Sequence, residues 1–219
     1  MLYVTPSLYS AWKYWKFGDF SQYENVILDD GRIDYVGERK RDEARKSYLD
    51  YLGKVKTEPT EAMLRGREFE EMVHQFMCGG NPSAEDATLL DENDIIHSKH
   101  IAHFIGFDCI WQVPGACEID GVMLYGIADA INRGIIYDVK RTKSFEAGEY
   151  YDSIQHLAYM KQHDLSEFKY FVATPGELFV EYYQRDDKLL ESRIKGFVSD
   201  IRNDPKALEL WEANWKWEK

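Results

Sequence analysis

Apolar residues recur along this chain with two periods, and the switches between them mark its elements. Phe69, Met72, Val73 and Phe76 are spaced i, i+3, i+4, i+7 and predict a helix over 60–77. Cys78-Gly79-Gly80-Asn81-Pro82 stops it. Thr5-Pro6 supplies a cap and a proline at the first helical position for a short helix to about residue 16. Tyr9, Trp12 and Trp15, three apart, give that helix an aromatic core face. Further helices are expected over 38–52, 92–103, 146–163, 186–202 and 205–217. In the 146–163 segment the stripe is Tyr150, Ile154, Leu157 and Ala158. Strand-like runs cover 107–113 and 116–119 around Pro114-Gly115. Two more, over 122–131 and 135–139, flank the turn residues Asn132-Arg133-Gly134, and a last pair, 168–173 and 178–183, flanks Thr174-Pro175-Gly176-Glu177. Residues 17–37 look irregular. This order predicts an α/β fold, a central mixed β-sheet flanked by helices. A helical extension over 1–59 precedes a core over 60–219 with a polar insertion around 83–105.

The strand face through Asp138 carries the chemistry. Side chains alternate along a strand, so Ile136, Asp138 and Lys140 share one face. Asp138 and Lys140 then stand about 6.6 Å apart along it. That spacing suits a metal at the carboxylate and an ammonium near the same phosphate. Asp129 shares its face with Met123, Tyr125, Ile127 and Ile131, a row in which a carboxylate is costly unless a cation pairs with it. A metal shared with Asp138, together with Lys140, meets that need. An exposed Asp-x-Lys is also an ordinary salt bridge. What sets this one apart is Asp129 upstream and the pair Gln155 and Tyr159 downstream, one helical turn apart.

Glu70 lies at the edge of its helix's apolar stripe, one turn after Gly66, and can reach past that glycine toward the sheet. Pairing with Arg67 or His74 is the alternative, and His74 is a second choice as ligand. Gln155 and Tyr159 suit orientation of a lysine, a bound nucleic acid or an attacking water; an ordinary amphipathic boundary is the other reading. His97, His100 and His103 are three apart but have no carboxylate pattern beside them.

Composition changes this picture in one respect. The 219 residues, 44% hydrophobic and 30% charged, describe a globular chain. The net charge of −12 speaks against a nucleic-acid partner, since an acidic surface repels phosphate. Metal sites concentrate carboxylates, however, and the cations cluster. Arg65 and Arg67, and Lys140, Arg141 and Lys143, flank the candidate ligands. The group from Arg39 to Lys46 is interleaved with acids and reads as a solvated helix face. Three unpatterned cysteines fit a reducing cytosol, and no apolar run reaches membrane-spanning length. The start lacks the basic and apolar regions of a signal peptide. A cytoplasmic location with no membrane partner is expected. No Walker motif is present, so no motor is built in.

Gly66-x-x-x-Glu70, Gly126-x-x-Asp129, Asp138-x-Lys140 and Gln155-x-x-x-Tyr159, in this order, resemble the PD-(D/E)XK nuclease superfamily, in its RecB-type and phage-exonuclease branches. The likeness covers about residues 60–183, and Val4 to Ser10 is similar to the Ser-rich start of many RecB-type domains. Glu70 stands where many RecB-type members carry His, which is closer to the phage-exonuclease variant. The resemblance implies a restriction-endonuclease-like core and DNA as partner. It implies Mg²⁺ or Mn²⁺ held by Glu70, Asp129, Asp138 and the backbone carbonyl of Val139. Lys140 would stabilise charge or position water, Gln155 and Tyr159 would orient, and Arg65, Arg67, Arg141 and Lys143 would contact DNA. With three cysteines and no Cys-x-x-Cys, no iron–sulfur cluster is implied. The expected activity is a DNA exonuclease of phage or recombination and repair type. A structure-specific endonuclease and a non-catalytic DNA-binding relic are the alternatives. Homo-oligomerisation and a recombination partner protein stay open.

Overall fold

The computed structural model describes residues 1–30, 32–83 and 87–217, so residues 84–86 of the expected insertion lie outside the described residues. In chain order the elements are β1 (Leu2–Val4), α1 (Pro6–Phe17), β2 (Val26–Ile27), β3 (Ile33–Asp34), α2 (Val36–Leu52), α3 (Glu61–Met77), α4 (Glu92–Ile105), β4 (Ile110–Ile119), β5 (Val122–Asn132), β6 (Ile135–Arg141), α5 (Gln155–His163), β7 (Glu167–Ala173), β8 (Leu178–Gln184), α6 (Asp187–Asn203) and α7 (Pro205–Asn214). They form two compact units.

The first unit holds Met1–Lys56, Glu118–Leu124 and Lys188–Lys219. Thr5 caps α1 by accepting the N–H of Leu8, and Pro6 sits where a missing N–H costs nothing. Tyr9 and Trp12 pack on Phe197 of α6, so the aromatic face of α1 is core. Trp15 stacks on Tyr48 of α2. The segment expected to be irregular contains the short antiparallel pair β2–β3. β1, which no periodicity marks, runs parallel to the start of β5, with Leu2 opposite Val122. Trp211 of α7 donates its indole N–H to the Tyr3 carbonyl, and Trp215 donates to that of Leu52.

The second unit, Thr57–Cys117 and Tyr125–Asp187, carries the candidate site. Its sheet is mixed. β5 and β6 are antiparallel, β6 and β7 parallel, β7 and β8 antiparallel, and β4 pairs with β5. The β5–β6 hairpin closes on Arg133 and Gly134, both at positive φ, as a two-residue turn requires. Helices cover both faces. On one, Phe69, Met72, Val73 and Phe76 of α3 and Ile101, Ala102 and Ile105 of α4 pack against Tyr137, Val139, Phe171 and Ala173. Each large apolar side chain buried there stabilises by about 1.5–3 kcal/mol before entropy is charged. On the other, His156 and Tyr159 of α5 meet Phe168 and Tyr170.

Two expected elements differ. β4 runs unbroken through Pro114, where the sequence predicts an interruption. β4 has β5 as its one strand partner among the described residues, and an edge strand is where a sheet tolerates a proline. The helix expected over 146–163 begins only at Gln155. Gly148 adopts φ 88°, and Tyr150 leaves the helical path to stack on Tyr170 at 4.6 Å. Ring packing thus overrides the helical stripe.

Candidate active site

The site lies where the β5–β6 ladder ends. Ala130 opposite Tyr137 is the last pair on that side of the turn. Beyond it, Val139 donates its backbone N–H not to a β5 carbonyl but to Asp129 Oδ2, at 2.8 Å. A carboxylate thus replaces a ladder bond, and the strands separate around it. Asp138, on the α5 face of β6, is fully buried. One of its oxygens accepts the Gln155 side-chain amide at 2.6 Å, and the other pairs with the Lys140 ammonium. The Lys140 side chain is 31% exposed and also lies 5.9 Å from the centroid of the Tyr170 ring. Gln155 is the first residue of α5, not a mid-helix position, and its amide lies 3.4 Å from the Tyr159 hydroxyl. α3, capped by Thr60, presents Glu70, whose Oε1 accepts the Gln112 amide of β4 at 2.6 Å.

Electrostatics ties these groups together. Burial and the neighbouring Asp138 push the Glu70 carboxyl up, although Lys140 and Gln112 oppose this. Burial and Asp138 push Asp129 well up, with Glu70 adding to the effect. Burial also raises Asp138 against the pull of Lys140. For Lys140, burial pulls the ammonium down, but Asp138 and Asp129 outweigh it and hold it above the ordinary lysine value. The Tyr159 hydroxyl, buried and facing Asp138, is pushed up to about 12.

The expected convergence of Glu70, Asp129 and Asp138 on one point is not formed. Among the described residues no three His, Cys, Asp or Glu side chains gather closely enough to ligate one ion. Three like charges repel, and each carboxylate has turned to a nitrogen: Gln112 for Glu70, the Val139 amide for Asp129, Lys140 and Gln155 for Asp138. The donors nevertheless fit a hard divalent cation. They are all oxygen, burial raises each of them and Asp138 raises Glu70 and Asp129 further, and Asp138 Oδ2, buried, has no hydrogen bond beyond its ion pair.

Gly126, in the motif with Asp129, is required by contact. A Cβ there would stand 2.4 Å from Cε1 of Tyr159. Gly66 meets nothing within 4 Å, so Glu70 needs no glycine to reach the site. His74 stacks on Trp111 at 5.1 Å.

The cations fall into two kinds. Arg65, Arg141 and Lys143 line a cavity of about 390 Å³, together with Glu61, Ala62, Thr142 and Pro175. The Nε of Arg65 is buried without a hydrogen bond, and Lys143 is exposed. Arg141 is different. Its guanidinium is buried and paired with the fully buried Asp94 of α4, so that charge is spent inside the protein. Arg67 is exposed on α3. Of the three α4 histidines, His97 is buried and its imidazole pKa lowered by that burial.

Sequence reasoning missed Gln112 and Asp94. Asp94 had a local signal, since Asp91-x-x-Asp94 opens α4 with a reciprocal cap. Gln112 had only the oddity of a long polar side chain in an apolar run.

No family model and no curated protein matches the chain. Solved structures with a similar trace include a candidate exonuclease from Eubacterium rectale, with 15% identity, 98% of this chain and 83% of that one covered, and a TM-score of 0.49. The alkaline exonuclease LHK-Exo from Laribacter hongkongensis, also solved in complex with dAMP, shares 13% identity over 96% of this chain and 93% of its own, with a TM-score of 0.48. A phage-related exonuclease from Haemophilus somnus 129PT shares 14% over 97% and 94%, with a TM-score of 0.42.

Proposed function

We propose that this chain is a divalent-metal-dependent deoxyribonuclease that degrades DNA from an end. One observation carries the reading: burial raises the pKa of Glu70, Asp129 and Asp138 alike, and Asp138, paired with Lys140, raises Glu70 and Asp129 further. A fold does not keep three mutually repelling carboxylates for stability. Glu70, Asp129 and Asp138, with the Val139 carbonyl, would hold Mg²⁺ or Mn²⁺, which when bound polarises a scissile phosphate and lowers the pKa of a water.

The chain's own groups have distinct tasks. Lys140 stays charged at neutral pH because Asp138 and Asp129 hold its proton. It is a compact, movable charge that can turn from Asp138 toward negative charge growing on phosphate. Gln155 fixes one oxygen of Asp138, and Tyr159, protonated at neutral pH, remains a donor beside it. Arg65 and Lys143, with exposed Arg67, supply cations for backbone phosphates, and these offset the acidic surface locally. Arg141 is reassigned to holding the end of β6 through Asp94.

The Lys140–Asp138 ion pair equally suits a DNA-binding relic that no longer cuts. Incubation of 5′- and 3′-end-labelled linear DNA and of circular DNA with Mg²⁺, Mn²⁺ or EDTA separates the readings. Mononucleotides released from linear DNA only, and abolished by EDTA, are expected. Nicking of circles would make the chain an endonuclease, and binding without cleavage under any ion would make it a relic.

A further inference from the structure

Consecutive side chains on a strand ordinarily point to opposite faces. In β4, Trp111 and Gln112 instead both reach α3. Trp111 stacks on His74, with rings 5.1 Å apart and nearly parallel, and Gln112 donates to Glu70 at 2.6 Å. Glu70 and His74 are one helical turn apart, so two neighbours on the strand grip two successive turns of one helix. The backbone explains how. Gln112 has φ 51°, inside the strand, where a side chain carries strain that glycine would not. Packing does not account for it, because Gln112 is exposed. The strained residue is the one whose amide holds a site carboxylate.

The arrangement repeats a pattern already present in the site. Gln155 donates its amide to Asp138 at 2.6 Å, and Gln112 does the same for Glu70. A carboxylate with one oxygen fixed by a short amide bond can present the other in one direction. Of the three site carboxylates, Glu70 is the one carried on a helix at the side of the sheet, and its side chain is the longest. It therefore has the most rotamer freedom to lose.

We propose that the left-handed kink at Gln112 makes this residue a positioning residue, whose amide orients Glu70 for a divalent cation. The inference rests on the metal-dependent reading above. The kink sets where Gln112 points, and the amide sets where Glu70 points.

The test uses the full chain with Mn²⁺ as probe. Binding is followed by loss of the free-ion electron paramagnetic resonance signal, turnover by release of label from linear DNA, and folding by thermal melting. Gln112→Gly separates backbone from side chain, because glycine accepts the positive φ while the amide is lost. It should melt at or above the wild-type temperature. Its half-saturating Mn²⁺ concentration should rise by about 10-fold or more, the usual effect of removing a partner that orients a ligand. Turnover at saturating Mn²⁺ should recover. Gln112→Ala should show the same binding loss with a lower melting temperature. In a Glu70→Ala background, Gln112→Gly should add no further binding loss. A Gln112→Gly protein that binds Mn²⁺ as tightly as wild type would reduce the kink to a strand irregularity and overturn the inference. A wild-type protein that neither binds Mn²⁺ nor cuts DNA would overturn the metal-dependent reading, and this inference with it.

Discussion

Asp129 Oδ2 accepts the backbone N–H of Val139 at 2.8 Å, just past the last ladder pair of the β5–β6 hairpin. One side chain thus closes a gap in the sheet and brings a negative charge to the site. Asparagine keeps an acceptor oxygen and loses the charge; alanine loses both. Asp129→Asn should melt at or above the wild-type temperature, whereas Asp129→Ala should lose about 1–3 kcal/mol by orphaning the Val139 amide. Cleavage should fall by roughly 10²-fold or more in both. Denaturant unfolding beside a gel assay checks this, and an Asn variant cutting at the wild-type rate would remove Asp129 from the site.

Lys140→Ala leaves Asp138 buried with Gln155 as its remaining partner. Stability should fall by on the order of 2 kcal/mol. Turnover should fall by roughly 10²-fold or more with little change in DNA affinity, since the ammonium acts on charge that develops late. Turnover and dissociation constant measured at one fixed salt concentration decide it. Weakened binding with unchanged turnover would favour the relic. Gln155→Ala and Tyr159→Phe should give smaller losses of the same kind.

The two motif glycines should part company. Gly126→Ala forces a methyl to 2.4 Å from Tyr159, so about 1–3 kcal/mol of stability and part of the activity should go. Gly66→Ala has open space and a helical backbone, and should gain up to about 1 kcal/mol with activity intact. Melting curves of the two single variants suffice.

The cations are separated by salt. Arg65→Ala or Lys143→Ala should each lower the slope of log affinity against log salt by about 0.7–0.9 without unfolding the chain. Arg141→Ala should instead cost about 3–5 kcal/mol, because it strands the buried Asp94 carboxylate. An Arg141→Ala protein as stable as wild type would return that residue to the DNA surface.

Acid should reveal Asp187. Arg185 and Lys161 hold its carboxyl at about 2, below its ordinary value. A depressed carboxylate stabilises above its unfolded pKa and loses that contribution as pH falls through the folded one. Stability should therefore drop as pH goes from about 4 to about 2. Asp187→Asn should flatten that part of the curve, which denaturant midpoints at successive pH values would show.

What the sequence discloses and conceals follows from where each signal resides. Thr5, Thr60, Asp91 and Asp204 mark helix starts because a cap is a contact between residues two or three apart. The hairpin around Arg133-Gly134 is equally local. The Asp138-x-Lys140 face follows from strand alternation alone. The late start of α5 does not, because it depends on Tyr150 finding Tyr170, far along the chain. Nor does the Arg141–Asp94 pair, whose members lie 47 residues apart. Gln112 was the least legible, since nothing in a glutamine's neighbours announces a left-handed backbone. β1 is simply too short, three residues, for any period to register.

Pro114 has an effect that reaches past the single chain. β4 pairs with β5 alone among the described residues, so its outer margin is the kind of open strand edge on which another molecule's strand can add. A proline offers no N–H there, and the turned backbone two residues earlier spoils the flat repeat such an addition needs. The same stretch that carries Gln112 to α3 thus discourages sheet-to-sheet aggregation, and replacing Pro114 with a β-branched residue would remove half of that protection.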